Sequence, residues 1–351
     1  MSTSQTLQMP RNALSATFSL TIVALCALLW LGSCSKPKAG GASNHAVYHW
    51  KSHFTIHDAD STFMAKHDVG RIYLRLFDIQ YDPFRNIIPT ADVHVYGDIS
   101  PEIEIVPTVF ISTEVLRQRL FANSLYANYL YDRIKNMLAN YNITNVPEIQ
   151  IDCDWTEHTA SEFFTFCKEL KKLVNADNRL LSATIRLHQL SQEAPPVDRG
   201  VLMVYNVGDL KDINETNSIL SAKVVKSYTT KAPKYALPLD VAYPAFGWGV
   251  VFENSYFSRL VTINNNPDSI PSLTNLHDNW YKCTPGGNNW DNLIATNEVV
   301  RYERPSVSEI LKAKGYVEDY LGYHPQHIIL YHLDEEQLSN YSDEDIKKIY
   351  Q

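Results

Sequence analysis

The sequence predicts an α/β fold, a (β/α)8 TIM barrel built as a single domain over residues 45–351. Three observations carry this reading. Beyond residue 44, short apolar or β-branched runs recur eight times, and most are followed by a segment of helical periodicity. Strands alternating with helices specify parallel βαβ units, and eight such units close a barrel. No Gly-x-Gly-x-x-Gly follows the first run, which leaves the rival, an open doubly wound sheet, without its usual sign.

Taken in order, strands are predicted over about Ala46–Ser52, Arg71–Asp78, Ile105–Ile111, Glu148–Asp154, Leu181–His188, Val201–Val207, Tyr235–Tyr243 and His327–Leu333. Helical spacing marks Ser124–Asn140, Ala160–Val174, Glu215–Ser227, Ser306–Leu321 and Ser342–Tyr350. In Ala160–Val174, for example, Phe163, Phe164, Cys167, Leu170 and Leu173 share one face while Glu162, Lys168 and Lys171 point away. The longest connection without helical pattern, about 253–305, follows the seventh strand. It therefore leaves the C-terminal face, where barrel enzymes keep their sites, and carries Trp280, Tyr281 and Trp290 to wall a cleft there.

The N-terminus has another design. A single basic residue, Arg11, precedes the apolar run Thr21–Leu31, and the small residues Gly32 and Ser33 stand directly before Cys34. That is the layout of a secretory signal over residues 1–33, and the run is too short to span a bilayer, which needs roughly 20 residues. Leu31-Gly-Ser-Cys34 resembles the lipobox of bacterial lipoproteins, which implies lipidation at Cys34 and attachment to a membrane of the bacterial cell envelope, on its periplasmic or surface side. Residues 34–44, rich in Gly, Ser and Ala, have the composition of a flexible tether. With a formal charge of −8, the chain is a poor candidate for nucleic acid, whose phosphates require clustered Lys and Arg. Three cysteines remain after processing, none at zinc-site spacing, and no cofactor or metal is implied.

The chemistry concentrates in Glu148-Ile-Gln-Ile-Asp-Cys-Asp-Trp-Thr-Glu157. Alternation along the fourth strand turns Gln150, Asp152 and Asp154 towards the barrel axis. Two carboxylates stacked on an inner wall are costly unless paired or protonated, so Asp152 suits a structural pair with an inward arginine, and Asp154 and Glu157, further out, suit proton transfer. On the fifth strand the same alternation places Arg186 and His188 inside, Arg186 as the natural partner of those carboxylates. Tyr205 lies inside the sixth strand, and Arg75 is an inward cation of the second. Asp240, Tyr243, Phe246 and Trp248, around the seventh strand, are expected at the mouth beside Trp50 and Trp155. Aromatic faces beside fixed carboxylates suit sugar rings. His53 and His57 with Asp58 and Asp60 have ligand types but no supporting cysteine, and Asp334-Glu-Glu336 is the acidic start of the last helix.

Asp152-Cys-Asp154-Trp-Thr-Glu157 resembles the Asp-x-Asp-x-Glu strand of chitinase-like glycosidases (glycoside hydrolase family eighteen), in which the last Glu is the general acid and the preceding Asp orients the substrate. Leu181-Ser-Ala-Thr and Met203-Val-Tyr205-Asn206 are similar to that family's fifth and sixth strands. The inward position for the acid holds Thr156 here, and Glu157 comes one residue late. A second likeness, through Gln150–Trp155, Leu181–Gln189, Pro196–Met203 and Leu239–Gly249, is to a family of bacterial barrel lipoproteins without an assigned reaction. Together these imply a glycan-cleaving lipoprotein with Asp152, Asp154, Glu157, Tyr205 and Asp240 as its chemical residues, or a barrel that binds a glycan without turnover.

Overall fold

The computed structural model describes residues 44–351 apart from 83, 85, 118–123, 265, 284–293 and 296–297. The predicted signal, Cys34 and all but the last residue of the tether lie outside the described residues, as does Trp290.

Eight parallel strands close a barrel: His45–His49, Val69–Tyr81, Glu104–Ile111, Glu148–Asp152, Leu180–Arg186, Arg199–Met203, Leu239–Pro244 and Ile328–Tyr331. They are neighbours in sequence order, and the first pairs with both the second and the eighth. Each predicted strand is present. The seventh starts at Leu239 rather than Tyr235, because Pro233 and Pro238 bracket a stretch in which one ladder donor is missing at each proline. Inside the barrel, the Gln150 side chain accepts from the Tyr48 hydroxyl at 2.7 Å and from Thr108 at 3.3 Å. Its NH2 donates to Ser182 Oγ at 3.4 Å, so both ends of the buried amide find partners at the axis.

The helices Ser124–Asn140, Ala160–Ala176, Val307–Leu321 and Asp343–Tyr350 fall where periodicity put them. Ala160–Ala176 buries Phe163, Phe166, Cys167, Leu170 and Val174, with Phe164 and Leu173 at the margins of the stripe. The helix expected from Glu215 begins instead at Ala222, because Ser221 caps it by accepting from the Val224 amide. Helix Asp58–Lys66 explains the His57 and Asp60 pattern, since Asp60 accepts from the His57 amide at 3.0 Å. Asp334 caps a separate turn, Glu335–Leu338, and not the last helix.

The connection after the seventh strand is not a loop. It forms a five-stranded antiparallel sheet from Trp248–Glu253, Tyr256–Thr262, Leu273–His277, Trp280–Cys283 and Glu298–Glu303. Asn254 and Ser255, both with positive φ, supply the tight turn that joins its first two strands. Val251, Val261, Ile263, Tyr281 and Val300 are part of a small core of its own. Burial alternates along Tyr256–Thr262, but its residues do not alternate between apolar and polar, so the sequence carried no period-two sign of this strand.

Candidate functional site

The C-terminal ends of the strands surround an open mouth with two adjoining cavities. One, of about 230 Å³, is lined by Trp50, Arg75, Asp78, Phe110, Asp152 and Tyr331, together with residues it shares with the other. The second, of about 270 Å³, adds Asp154, Leu187, His188, Val207 and Tyr228. Arg186, Met203, Tyr205 and Asn206 belong to both.

Asp152 closes the fourth strand. Its carboxylate, nearly sealed from solvent, accepts from Thr184 Oγ1 at 2.6 Å and from Arg186 Nη2 at 3.2 Å. Burial alone would lower the Arg186 pKa, but Asp152, Tyr205 and Asp154 more than offset it and push the guanidinium up. Arg186 therefore stays charged and holds Asp152 as its counter-ion. Two residues further on, Asp154 has left the ladder and keeps 56% of its side chain exposed, with Arg186 Nε and His188 Nε2 each 3.9 Å away. His188 is not on the strand wall, because the fifth strand ends at Arg186 and a 3₁₀ turn, Leu187–Ser191, carries the imidazole to the exposed rim. Tyr205 is buried, donates to Met203 Sδ at 3.2 Å and lies 4.9 Å from the Tyr331 ring.

A second acid–arginine pair faces Asp152 across the third strand. Asp78 registers with Phe110, and Phe110 with Asp152, so the carboxylates stand at one level. Arg75 Nε donates to Asp78 at 2.7 Å, and its guanidinium lies over the Trp50 ring at 5.6 Å. Strict alternation would put Arg75 and Asp78 on opposite faces. A bulge between Arg75 and Phe77 adds a residue and turns both to the mouth. Asp78 was missed in the sequence because a bulge leaves no reliable mark there, and Phe110 and Tyr331 because a single aromatic on an apolar strand reads as core.

Several expected residues sit elsewhere. Asp240 is at the opposite end of the barrel: with its strand starting at Leu239, it is only the second residue, fully buried, and binds Arg199 at 3.3 Å and the His327 amide at 2.8 Å. Tyr243 points outward into the helix layer, where the Lys314 ammonium lies 5.8 Å from its ring. Trp155 is fully buried against Phe163 and Phe164, so no ligand reaches it. Trp248 opens the inserted sheet and lines neither cavity, its indole donating to Glu303 at 2.8 Å and lying beside Phe246. Glu157 is exposed on the turn before Ala160 and also lines neither. Among the described residues, no group of three or more His, Cys, Asp or Glu is arranged to hold a metal.

No family model and no curated sequence relative matches the chain. Solved structures do. The C-terminal domain of a putative chitinase from Desulfitobacterium hafniense superposes with a TM-score of 0.55 at 11% identity, covering 88% of this chain and 100% of that one. The spore cortex-lytic enzyme SleL of Bacillus megaterium gives 0.53 at 11% identity, over 88% and 74%. A class V chitinase mutant from Cycas revoluta, solved in complex with (GlcNAc)3, gives 0.51 at 10%, over 88% and 100%. The chain thus has the barrel fold of chitinase-like glycosidases. At such identities the likeness speaks for fold and not for activity.

Proposed function

We propose that the mouth of this barrel binds an oligosaccharide, and that the protein is a glycan-binding lipoprotein of the bacterial cell envelope built on a glycosidase fold. The observation that supports this best is the joining of Trp50, Tyr205, Tyr331 and Phe110 with the fixed carboxylates Asp78 and Asp152 around one open cavity. Aromatic faces cover the apolar side of a sugar ring, while held carboxylates and guanidiniums take its hydroxyls. Glu157 stands away from the cavities and Thr156 holds the position of the acid, which favours binding over turnover by the chitinase-like route.

A second reading, cleavage, draws on Asp154, whose exposed carboxylate lies at the rim between Arg186 and His188. One experiment separates the two: the full-length protein is presented with a panel of bacterial and host glycans, and both retention and product are measured. Binding alone gives retention without product. Cleavage gives product, and Asp154→Asn then lowers its rate at least about a hundredfold, as loss of a general acid does. Neither retention nor product across the panel overturns both.

Export and lipidation at Cys34 belong to the same proposal and have their own test. Cys34→Ala should leave the protein unprocessed or release it from membranes. Unchanged fractionation together with unchanged lipid labelling would remove the anchor.

A further inference from the structure

We propose that the face of the barrel opposite the mouth rests on the bilayer, so that the mouth opens away from the membrane. This rests on lipidation at Cys34. The first barrel strand begins at His45, and because all eight strands are parallel, its first residue lies at the N-terminal end of the barrel. The Asn44 carbonyl accepts there from the Ile328 amide at 2.9 Å, fixing the chain's exit beside the start of the eighth strand. Ten residues separate Cys34 from that fixed point. Even fully extended they span at most about 35 Å. Turning the mouth to the membrane would require them to pass the whole helix layer, in which Val307–Leu321 alone is about 22 Å long, and still reach the bilayer. The opposite orientation needs no such extension.

The same end of the molecule carries a surface suited to an interface. The segment entering the seventh strand and the end of helix Val307–Leu321 form an open groove of about 210 Å³ lined by Tyr235, Leu237, Pro238, Tyr320 and Tyr323. The Tyr320 hydroxyl is bonded to the Pro233 carbonyl and the Tyr323 hydroxyl accepts from the Leu239 amide, each at 2.7 Å, so the rings are held in place. Tyr323 is 41% exposed, and the exposed Lys234 lines the groove, three residues after the exposed Lys231 that ends the preceding helix. Tyrosine rings with neighbouring lysines are the composition of the membrane–water boundary. The groove is two strands from the chain's exit, about 10 Å at the usual strand spacing. A bilayer held against this end of the barrel, as proposed, meets it. One consequence concerns the ligand: a mouth facing outward takes glycan from the surrounding medium or a polymer layer, and not the headgroups of its own anchoring leaflet.

The test uses the full-length lipidated protein in vesicles containing anionic phospholipid and a headgroup-linked quencher. A fluorophore is placed at Lys234→Cys or at Phe84→Cys, which lies at the mouth side between the second strand and the short strand Ile87–Thr90 that pairs antiparallel with its end. Both positions are exposed, whereas Cys153, Cys167 and Cys283 are buried. Loss of fluorescence at 234 and none at 84 is expected. Equal quenching, or stronger quenching at 84, overturns the orientation, and no quenching at either site in protein that co-sediments with vesicles overturns the contact. Anchoring is judged separately: if Cys34→Ala co-sediments as fully as the wild type, the lipid reading fails and takes this inference with it.

Discussion

The two ends of the barrel are built from the same residue types and differ in what they can do. At the N-terminal end, Arg71 binds Glu148 at 3.0 Å and Glu104 at 2.7 Å, while Arg199 binds Asp240 at 3.3 Å, and the side chains of Glu148 and Asp240 have no exposure at all. At the mouth, Arg186 holds Asp152 and Arg75 holds Asp78, but Asp154 and His188 stand in solvent and the cavities open between them. Carboxylates and arginines on inner walls are therefore no sign of a site by themselves. Position along the strand decides, because Glu148 and Asp240 at the N-terminal end are sealed while Asp154 beyond the C-terminal end stands open.

The sharpest way to break this contrast is to remove an arginine from each end. Arg71→Met leaves Glu148, whose pKa burial already pushes up against the pull of Arg71, without its main counter-ion. A loss of about 3–5 kcal/mol is expected in denaturant melts. Arg186→Met also strands a carboxylate, but Asp152 keeps the Thr184 hydroxyl and some access to water, so the loss should be nearer 2–3 kcal/mol. Asp154→Asn, on an exposed group, should barely move the melt. Equal shifts for Arg71→Met and Asp154→Asn would mean that the two ends do not differ as described.

Two tryptophans extend the contrast. Trp155→Ala empties a buried site and should cost about 3–5 kcal/mol of stability. Trp50→Ala, at the cavity, should leave folding close to wild type and weaken glycan retention by about 1–3 kcal/mol. The reverse pattern, a stable Trp155→Ala that fails to retain glycan, would relocate the site.

Why the sequence distinguished the strands better than the site follows from the same residues. Eight apolar runs and their intervening helices are periodic, and periodicity survives small errors of boundary. Facing does not. Starting the seventh strand four residues early carried Asp240 to the wrong end, and it is a one-residue parity that turns Tyr243 into the helix layer. The fourth strand, where the boundary was nearly right, gave Asp152 its place and its partner Arg186. Trp155 was expected at the mouth against the strand's own parity: alternation continued past Ile151 and Cys153 puts it on the helix side, where it packs on Phe163 and Phe164.

Acid should act on the mouth side of the first and eighth strands. Burial lowers the His49 pKa to about 3 and that of His332 to about 4, so both are neutral in the folded protein near neutrality. The unfolded chain takes up these protons near pH 6.5 and the folded one does not. Their contribution to stability is therefore complete above pH 6.5 and is lost as pH falls from there through 4 and 3. Asp334, held below the usual carboxylate range despite its burial by Lys51 and the Gln337 amide, adds a further loss below about pH 4. Melting temperatures from pH 7 to pH 4 should fall, and His332→Gln should flatten the part of that fall above pH 4. An unchanged slope in the variant would assign it to other groups.

The smallest effect is expected at Glu157, where it discriminates most. Its side chain is exposed on the turn between the fourth strand and Ala160, and the polar contacts that shape this turn run from Thr159 to Thr156, not through Glu157. Glu157→Gln should change stability by less than about 0.5 kcal/mol, as surface substitutions do. It should leave glycan retention, and any turnover, within about twofold, a change of roughly 0.4 kcal/mol. Thr156→Glu in turn would place a carboxylate at the position that the chitinase-like strand gives to its acid. If turnover appears in that variant and not in the wild type, the barrel lacks only the proton donor, and Asp152, Arg186 and Tyr205 already hold a sugar where such a donor can use it. If Glu157→Gln instead abolishes a measured turnover, the turn must rearrange when glycan binds, and the open mouth described here is only one of its states.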